Sequence, residues 1–106
     1  MNSSNKAENM YILEQSLQNI LLQKQAFQME FAETTEALKE LEKSGEEVFR
    51  VIGNLMLKAE KSKIKEELKN KEKMLEIRLR SIERQETSFA EQLEKAREQM
   101  LKSVKS

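Results

Sequence analysis

The sequence has no proline, cysteine, histidine or tryptophan, and only two glycines in 106 residues. Each absence removes a class of fold or function. Without Cys or His there is no thiolate nucleophile, zinc cluster, disulfide framework or imidazole base. So few turn formers leave little means of reversing the chain more than once or twice. No stretch approaches the roughly 18 consecutive apolar residues that span a bilayer. Residues 1–6, Met1-Asn2-Ser3-Ser4-Asn5-Lys6, lack the apolar core of a secretory signal. A cytoplasmic location is therefore expected, and the missing Cys agrees with a reducing compartment. Nineteen basic and nineteen acidic side chains cancel to zero, which argues against a general nucleic-acid binder. There is no glycine-rich phosphate loop and no Ser beside a recognisable base. The chain is expected not to be an enzyme, and no metal or cofactor is implied.

What is present points to long helices. Charged residues make up 36% and hydrophobic ones 38%, and abundant Ala, Glu, Lys, Leu and Arg suit a coiled coil. Stepping alternately by three and four from Met10 gives Met10, Leu13, Leu17, Ile20, Lys24, Phe27, Phe31, Thr34, Leu38 and Leu41. Eight of these ten are apolar, a sustained heptad seam. The spacing predicts a helix over 5–44. Asn5 with Glu8 resembles a capping box, and Gly45 stands where a C′ glycine would end the helix.

A second seam runs Leu68, Glu72, Leu75, Leu79, Ile82, Glu86, Phe89, Leu93, Ala96 and Met100, again with eight apolar members. It predicts a helix over 62–103. Neither helix can bury its stripe alone. Residues 1–44 carry a net −3 (four Lys, seven Glu) and 59–106 a net +3 (thirteen Lys or Arg, ten Glu), so an antiparallel pair is favoured. Folding the chain about Gly53-Asn54 brings Lys24 and Glu86, which interrupt the two seams, within about one layer of each other. They either pair and help to fix register or snorkel separately to solvent.

Between the seams, residues 46–58 turn β-branched, aromatic and aliphatic around Gly53-Asn54. A two-residue Gly-Asn connection between apolar runs reads as a β-hairpin with a primed turn; the alternative is a continuing helix with Gly53 as a defect. A hairpin would display Val48, Phe49, Val51, Ile52, Leu55, Met56 and Leu57 on two faces. At about 1.5–3 kcal/mol per buried side chain, these seven represent on the order of 10–20 kcal/mol. Two helix ends cannot cover both faces and both edges. Hairpins from several chains sharing one sheet or barrel would resolve this, as an alternative to a small cap folded on its own helices.

The far ends hold a second candidate surface. Folded back, the helices bring Met10, Tyr11, Ile12, Leu13 and Leu17 near Met100, Leu101 and Val104. Four consecutive apolar residues exceed what a two-position seam needs, and Leu21 and Leu22 extend the excess. Apolar, Met-containing tips suit adaptable contact with apolar surfaces, although ordinary seam packing would also use Leu13 and Leu17.

The order long helix, hairpin, long helix resembles the β-type subunit of prefoldin, as found in archaea. The resemblance is carried by Glu36-Ala37-Leu38-Lys39-Glu40-Leu41-Glu42, by Val48-Phe49-Arg50-Val51-Ile52-Gly53-Asn54-Leu55-Met56-Leu57-Lys58, by Leu75-Glu76-Ile77-Arg78-Leu79 and by Ile82-Glu83-Arg84-Gln85-Glu86. It covers roughly residues 10–101, the hairpin run being its most specific part. It implies a mainly α single domain over 1–106: an antiparallel two-helix coiled coil with a β-hairpin at 46–58, the hairpins joining in a shared β-barrel. It further implies a hetero-hexamer of two α-type and four β-type subunits. Such a chaperone holds non-native polypeptides at its coiled-coil tips without ATP and passes them to a group II chaperonin. Neither nucleic acid nor membrane is an expected partner.

Two other readings compete. A structural coiled-coil scaffold would join fixed partners through its heptads. A nucleic-acid binder would rest on Lys61, Lys63, Lys65, Lys69, Lys71 and Lys73, but Glu60, Glu66, Glu67 and Glu72 interleave them as on a solvated helix face.

Overall fold

The computed structural model describes residues 3–105. Met1, Asn2 and Ser106 lie outside the described residues, and with them the first part of the segment judged unlike a secretory signal. Four elements follow in order: helix α1 (Ser3–Lys43), strands β1 (Glu47–Ile52) and β2 (Leu55–Glu60), and helix α2 (Lys61–Lys105). The chain forms two compact units, one of residues 27–78 and one that combines residues up to 26 with those from 79 onward. None of the described helices is long and apolar enough to cross a membrane.

The hairpin belongs to the first of these units. Its strands pair antiparallel in a register set by Val51 opposite Met56 and Ile52 opposite Leu55, leaving Gly53-Asn54 as the two-residue turn. Gly53 has φ +59, and no described non-glycine residue has a positive φ. Only the first turn position therefore uses the left-handed region, the pattern of a type II′ turn and not a type I′. The second strand runs on to Glu60 and passes directly into α2 at Lys61.

Helix α1 does not end on a left-handed glycine. Gly45 lacks a positive φ. Instead the Ser44 hydroxyl donates to the Leu41 carbonyl at 2.7 Å, the Ser44 N–H reaches the Glu40 and Leu41 carbonyls, and the Lys61 ammonium donates to the Ser44 carbonyl at 2.8 Å. Side-chain donors thus satisfy the last turn's open carbonyls. At the other end α1 begins at Ser3, which places Asn5 inside the first turn and not at the expected cap.

All twenty seam positions read from the sequence are buried or half-buried. In the 27–78 unit Leu41 and Leu75 are buried, as is Thr34, whose hydroxyl donates to the Glu30 carbonyl one turn back. The sides of this seam are held by Glu30 with Lys71 (3.3 Å), Glu42 with Lys65 (2.6 Å), and Thr35 donating to Glu72. The Arg78 guanidinium lies over the Phe27 ring, 5.7 Å from its centroid.

In the other unit Ile20, Ile82 and Leu93 are buried. Lys24 and Glu86 meet across the seam, Glu14 faces Arg97 at 3.9 Å, and the Lys6 ammonium donates to the Ser103 hydroxyl. In both units α1 partners of rising number meet α2 partners of falling number, so the helices pair antiparallel. Apart from Lys24–Glu86, the interhelical ion pairs put the acid on α1 and the base on α2, in keeping with the −3 and +3 halves.

Candidate functional site

Side chains alternate across a strand pair, so the hairpin has two chemically different faces. One carries Val48, Arg50 and Ile52 opposite Ala59, Leu57 and Leu55; the other carries Glu47, Phe49 and Val51 opposite Glu60, Lys58 and Met56. Val48 is half-buried, whereas Phe49, Val51, Ile52, Leu55, Met56 and Leu57 are all exposed. Leu55 and Met56 reach 63% and 69% exposure beside the turn. The sheet has two strands only, so both outer edges present unpaired backbone groups.

Charge on the hairpin lies at its helix end and at Arg50, midway along the first strand. The Arg50 guanidinium reaches the Glu67 carboxylate on α2, and Lys58 faces Glu47 across the strands at 3.8 Å. Arg50 is the only charged residue from Val48 to Leu57. Strand alternation does not foretell its partner, but that solitary charge is the signal that something must receive it. Beyond Arg50, which is tied to α2, the stretch from Val51 through the turn to Leu57 carries no charge. Phe49, Val51 and Met56 also line a groove of about 480 Å³ with Ala37, Leu41, Ile64 and Leu68. Those four helical residues were not marked by the seam pattern as lining a surface, although Leu41 and Leu68 are seam members.

The free ends of the helices show a division of roles among the residues singled out there. Met10, Leu13, Leu17 and Met100 are half-buried in the seam. Tyr11, Ile12, Leu101 and Val104 point outward, with Val104 81% exposed. Ile12 and Leu13 line a cleft of about 440 Å³ with Asn9, Gln92, Ala96 and Gln99, so the two helix ends do share one surface. Tyr11 and Ile12 also border a shallower depression with Ala7 and Glu8. An arrangement of this kind offers apolar contact area on a support held by its own seam.

Two perturbed groups lie at the helix pairing, Lys24 within the seam and Glu42 beside it. The hydrogen bond to Glu86 is the main cause of a Lys24 pKa above its ordinary value, with burial opposing. Hydrogen bonding to Lys65 holds the Glu42 carboxyl below its own. Both shifts mark ion pairs that fasten the helices. Among the described residues no group of acidic, His or Cys side chains could hold a metal ion. The lysine-rich start of α2 is partly neutralised, since Lys65 and Lys71 pair with α1 glutamates.

Residues 4–106 match the family described as Prefoldin subunit. The chain is 43% identical over 82 residues to "Prefoldin subunit beta" of Thermococcus onnurineus, spanning 76% of this chain and 71% of that protein. It is 32% identical over 90 residues to "Prefoldin subunit beta" of Pyrobaculum calidifontis, spanning 83% and 72%. Its fold is similar to the crystal structure of the prefoldin beta subunit from Thermococcus strain KS-1, with a TM-score of 0.88, 32% identity, and 98% of this chain and 93% of that one covered.

Proposed function

Because the chain belongs to the prefoldin subunit family, and so is a chaperone subunit that assembles with other prefoldin subunits, we propose that it is the β-type member of an ATP-independent holdase. Two α-type and four β-type subunits form the hexamer. Hairpins, through Val48, Phe49, Val51, Ile52, Leu55, Met56 and Leu57, build its β-barrel body. The helix ends, through Met10, Tyr11, Ile12, Leu13, Leu17, Met100, Leu101 and Val104, hold non-native polypeptides in the cytoplasm for delivery to a group II chaperonin. A scaffold with fixed partners is not the reading the family supports.

The observation that carries this proposal is the exposure of large apolar side chains in two separate places, Ile52 to Leu57 on the hairpin and Tyr11, Ile12, Leu101 and Val104 at the helix ends. The hairpin surface is continuous and edge-exposed, which suits permanent association. The end surface is smaller and flanked by polar groups, which suits weak contacts that several arms sum into useful avidity. Such binding needs no nucleotide, because release requires only competition at a few arms.

The test uses Ile12→Ser with Leu101→Ser and Val104→Ser, assembled with an α-type subunit. These residues are exposed, so seam packing is spared. Suppression of client aggregation should fall several-fold while the assembly keeps its light-scattering mass. Undiminished suppression would argue against capture at the helix ends.

A further inference from the structure

We propose that the outer face of α1 over residues 15–26 is a second capture surface, one that takes extended, uncharged apolar segments of non-native polypeptide. This rests on the holdase reading and names the chemistry of the segment held. Between Glu14 and Glu30 the only charged residue is Lys24, in a chain that is 36% charged. Lys24 is turned into the seam, where its ammonium donates to Glu86 at 2.9 Å. The outer face of 15–26 therefore carries no charge at all. Its exposed positions are five amides from Gln15 to Gln25, together with Leu21, Leu22 and Ala26. Gln18, Leu21, Leu22 and Gln25 border an open depression of about 270 Å³.

The same unit shows what an ordinary solvated face of this protein looks like. Across the seam, α2 exposes Arg84, Glu91, Glu94 and Lys95. Over this stretch the α2 side is charged toward solvent and the α1 side is not, so solubility alone does not explain the α1 face. Two leucines supply apolar contact. A Gln or Asn side chain offers the same donor and acceptor pair as a peptide group, so the amides can meet unpaired backbone N–H and C=O in whatever register an extended chain presents. A folded partner has few such groups left free. With no charge to complement or repel, the face selects neither acidic nor basic segments, only apolar ones. It begins on the same helix just past Tyr11 and Ile12, and so lengthens the contact available to one client.

The test is made on the chain assembled with an α-type subunit, using Gln18→Glu with Gln25→Glu. Aggregation suppression is measured with one acidic and one basic unfolded client at low salt. The parent should treat the two within about twofold. The variant should lose on the order of fivefold against the acidic client and little against the basic one, and high salt should shrink that gap. Gln85→Glu with Ala90→Glu places two equal charges on the α2 side and should leave both clients unaffected. An equal loss there would reveal a general charge effect and overturn the proposal. An undiminished Gln18→Glu with Gln25→Glu protein, beside a weakened Ile12, Leu101 and Val104 variant, would overturn it while the holdase reading stands. A parent that suppresses neither client would bring down both. A larger assembly mass in the parent that the two Glu substitutions abolish would make the face a contact between copies of this chain, and the proposal would fail.

Discussion

The Lys24 ammonium donates a hydrogen bond to the Glu86 carboxylate at 2.9 Å, with the two side chains 24% and 26% exposed. Each is the charge that interrupts its helix's apolar seam in the 3–26 and 79–105 unit, and the interruptions coincide. A half-buried ion pair adds little net stability over an apolar pair, yet a register that separates the two strands a charge in the seam. Lys24 and Glu86 therefore select the helix alignment more than they strengthen it.

A double-mutant cycle should show this directly. Lys24→Leu and Glu86→Leu should each destabilise the chain, because each leaves the other charge uncompensated. The double variant should recover most of the loss and unfold at close to the parent's denaturant midpoint. Additive single effects would mean that the two side chains do not sense each other.

The pH dependence follows from the directions of two shifts. The Glu42 carboxyl is held below its ordinary 4.5, chiefly by its hydrogen bond to Lys65, so its contribution is present above 4.5 and lost as pH falls through the lowered folded value. Lys24 is held above its ordinary 10.5, chiefly by its hydrogen bond to Glu86. Its contribution is present below 10.5 and lost as pH rises through the raised value. Thermal unfolding from neutrality into acid should therefore fall more steeply for the parent than for Glu42→Gln. Parallel curves would remove Glu42 from the acid response. In alkali the parent should fall more steeply than the Lys24→Leu, Glu86→Leu double variant.

The two glycines should respond oppositely to alanine. At Gly53 a Cβ would meet no atom within 4 Å, but the residue is held at φ +59, where an L side chain is strained. Gly53→Ala should cost about 1 kcal/mol. Gly45 has the same open space and no positive φ. Gly45→Ala should be neutral, or stabilising by up to about 1 kcal/mol, through the entropy of the unfolded chain. Denaturant midpoints separate the two cases, and equal losses would contradict the different backbone roles.

Much of this fold is legible in the sequence because heptad spacing is a long-range, redundant signal. Lys24 and Glu86 could be aligned by arithmetic alone, and every seam position from Met10 to Met100 proves shielded. Short-range signals were less decisive. Asn5 and Glu8 have the composition of a capping box, yet α1 extends past them to Ser3, since helix termini are weakly determined by any one residue. Gly45 has the composition of a left-handed cap, but Ser44 and Lys61 satisfy the carbonyls first. The site was legible as a list of apolar residues and not as a geometry. Leu13 falls on the heptad seam and Ile12 does not, so spacing separates the shielded side chain from the open one, but it does not give the cleft the two share with α2.

The hairpin yields the most demanding prediction, because its two faces can be tested separately. Val51 lies on the face with Phe49 and Met56, while Leu57 lies on the other, opposite Arg50. Both side chains are exposed in the single chain, at 65% and 47%, so an aspartate at either place leaves its internal packing intact. In a shared barrel the same carboxylate would replace roughly 1.5–3 kcal/mol of apolar burial with a buried charge, which costs more still. The penalty recurs in every β-type subunit of the assembly. Val51→Asp and Leu57→Asp should therefore each retain parental helicity and dissociate the assembly in light scattering. If only Val51→Asp dissociates it, the interface uses the Phe49 face alone and the Leu57 face is open to water. If both keep the parental mass, the hairpin is not the assembly surface, and the six exposed apolar residues from Phe49 to Leu57 would need another partner.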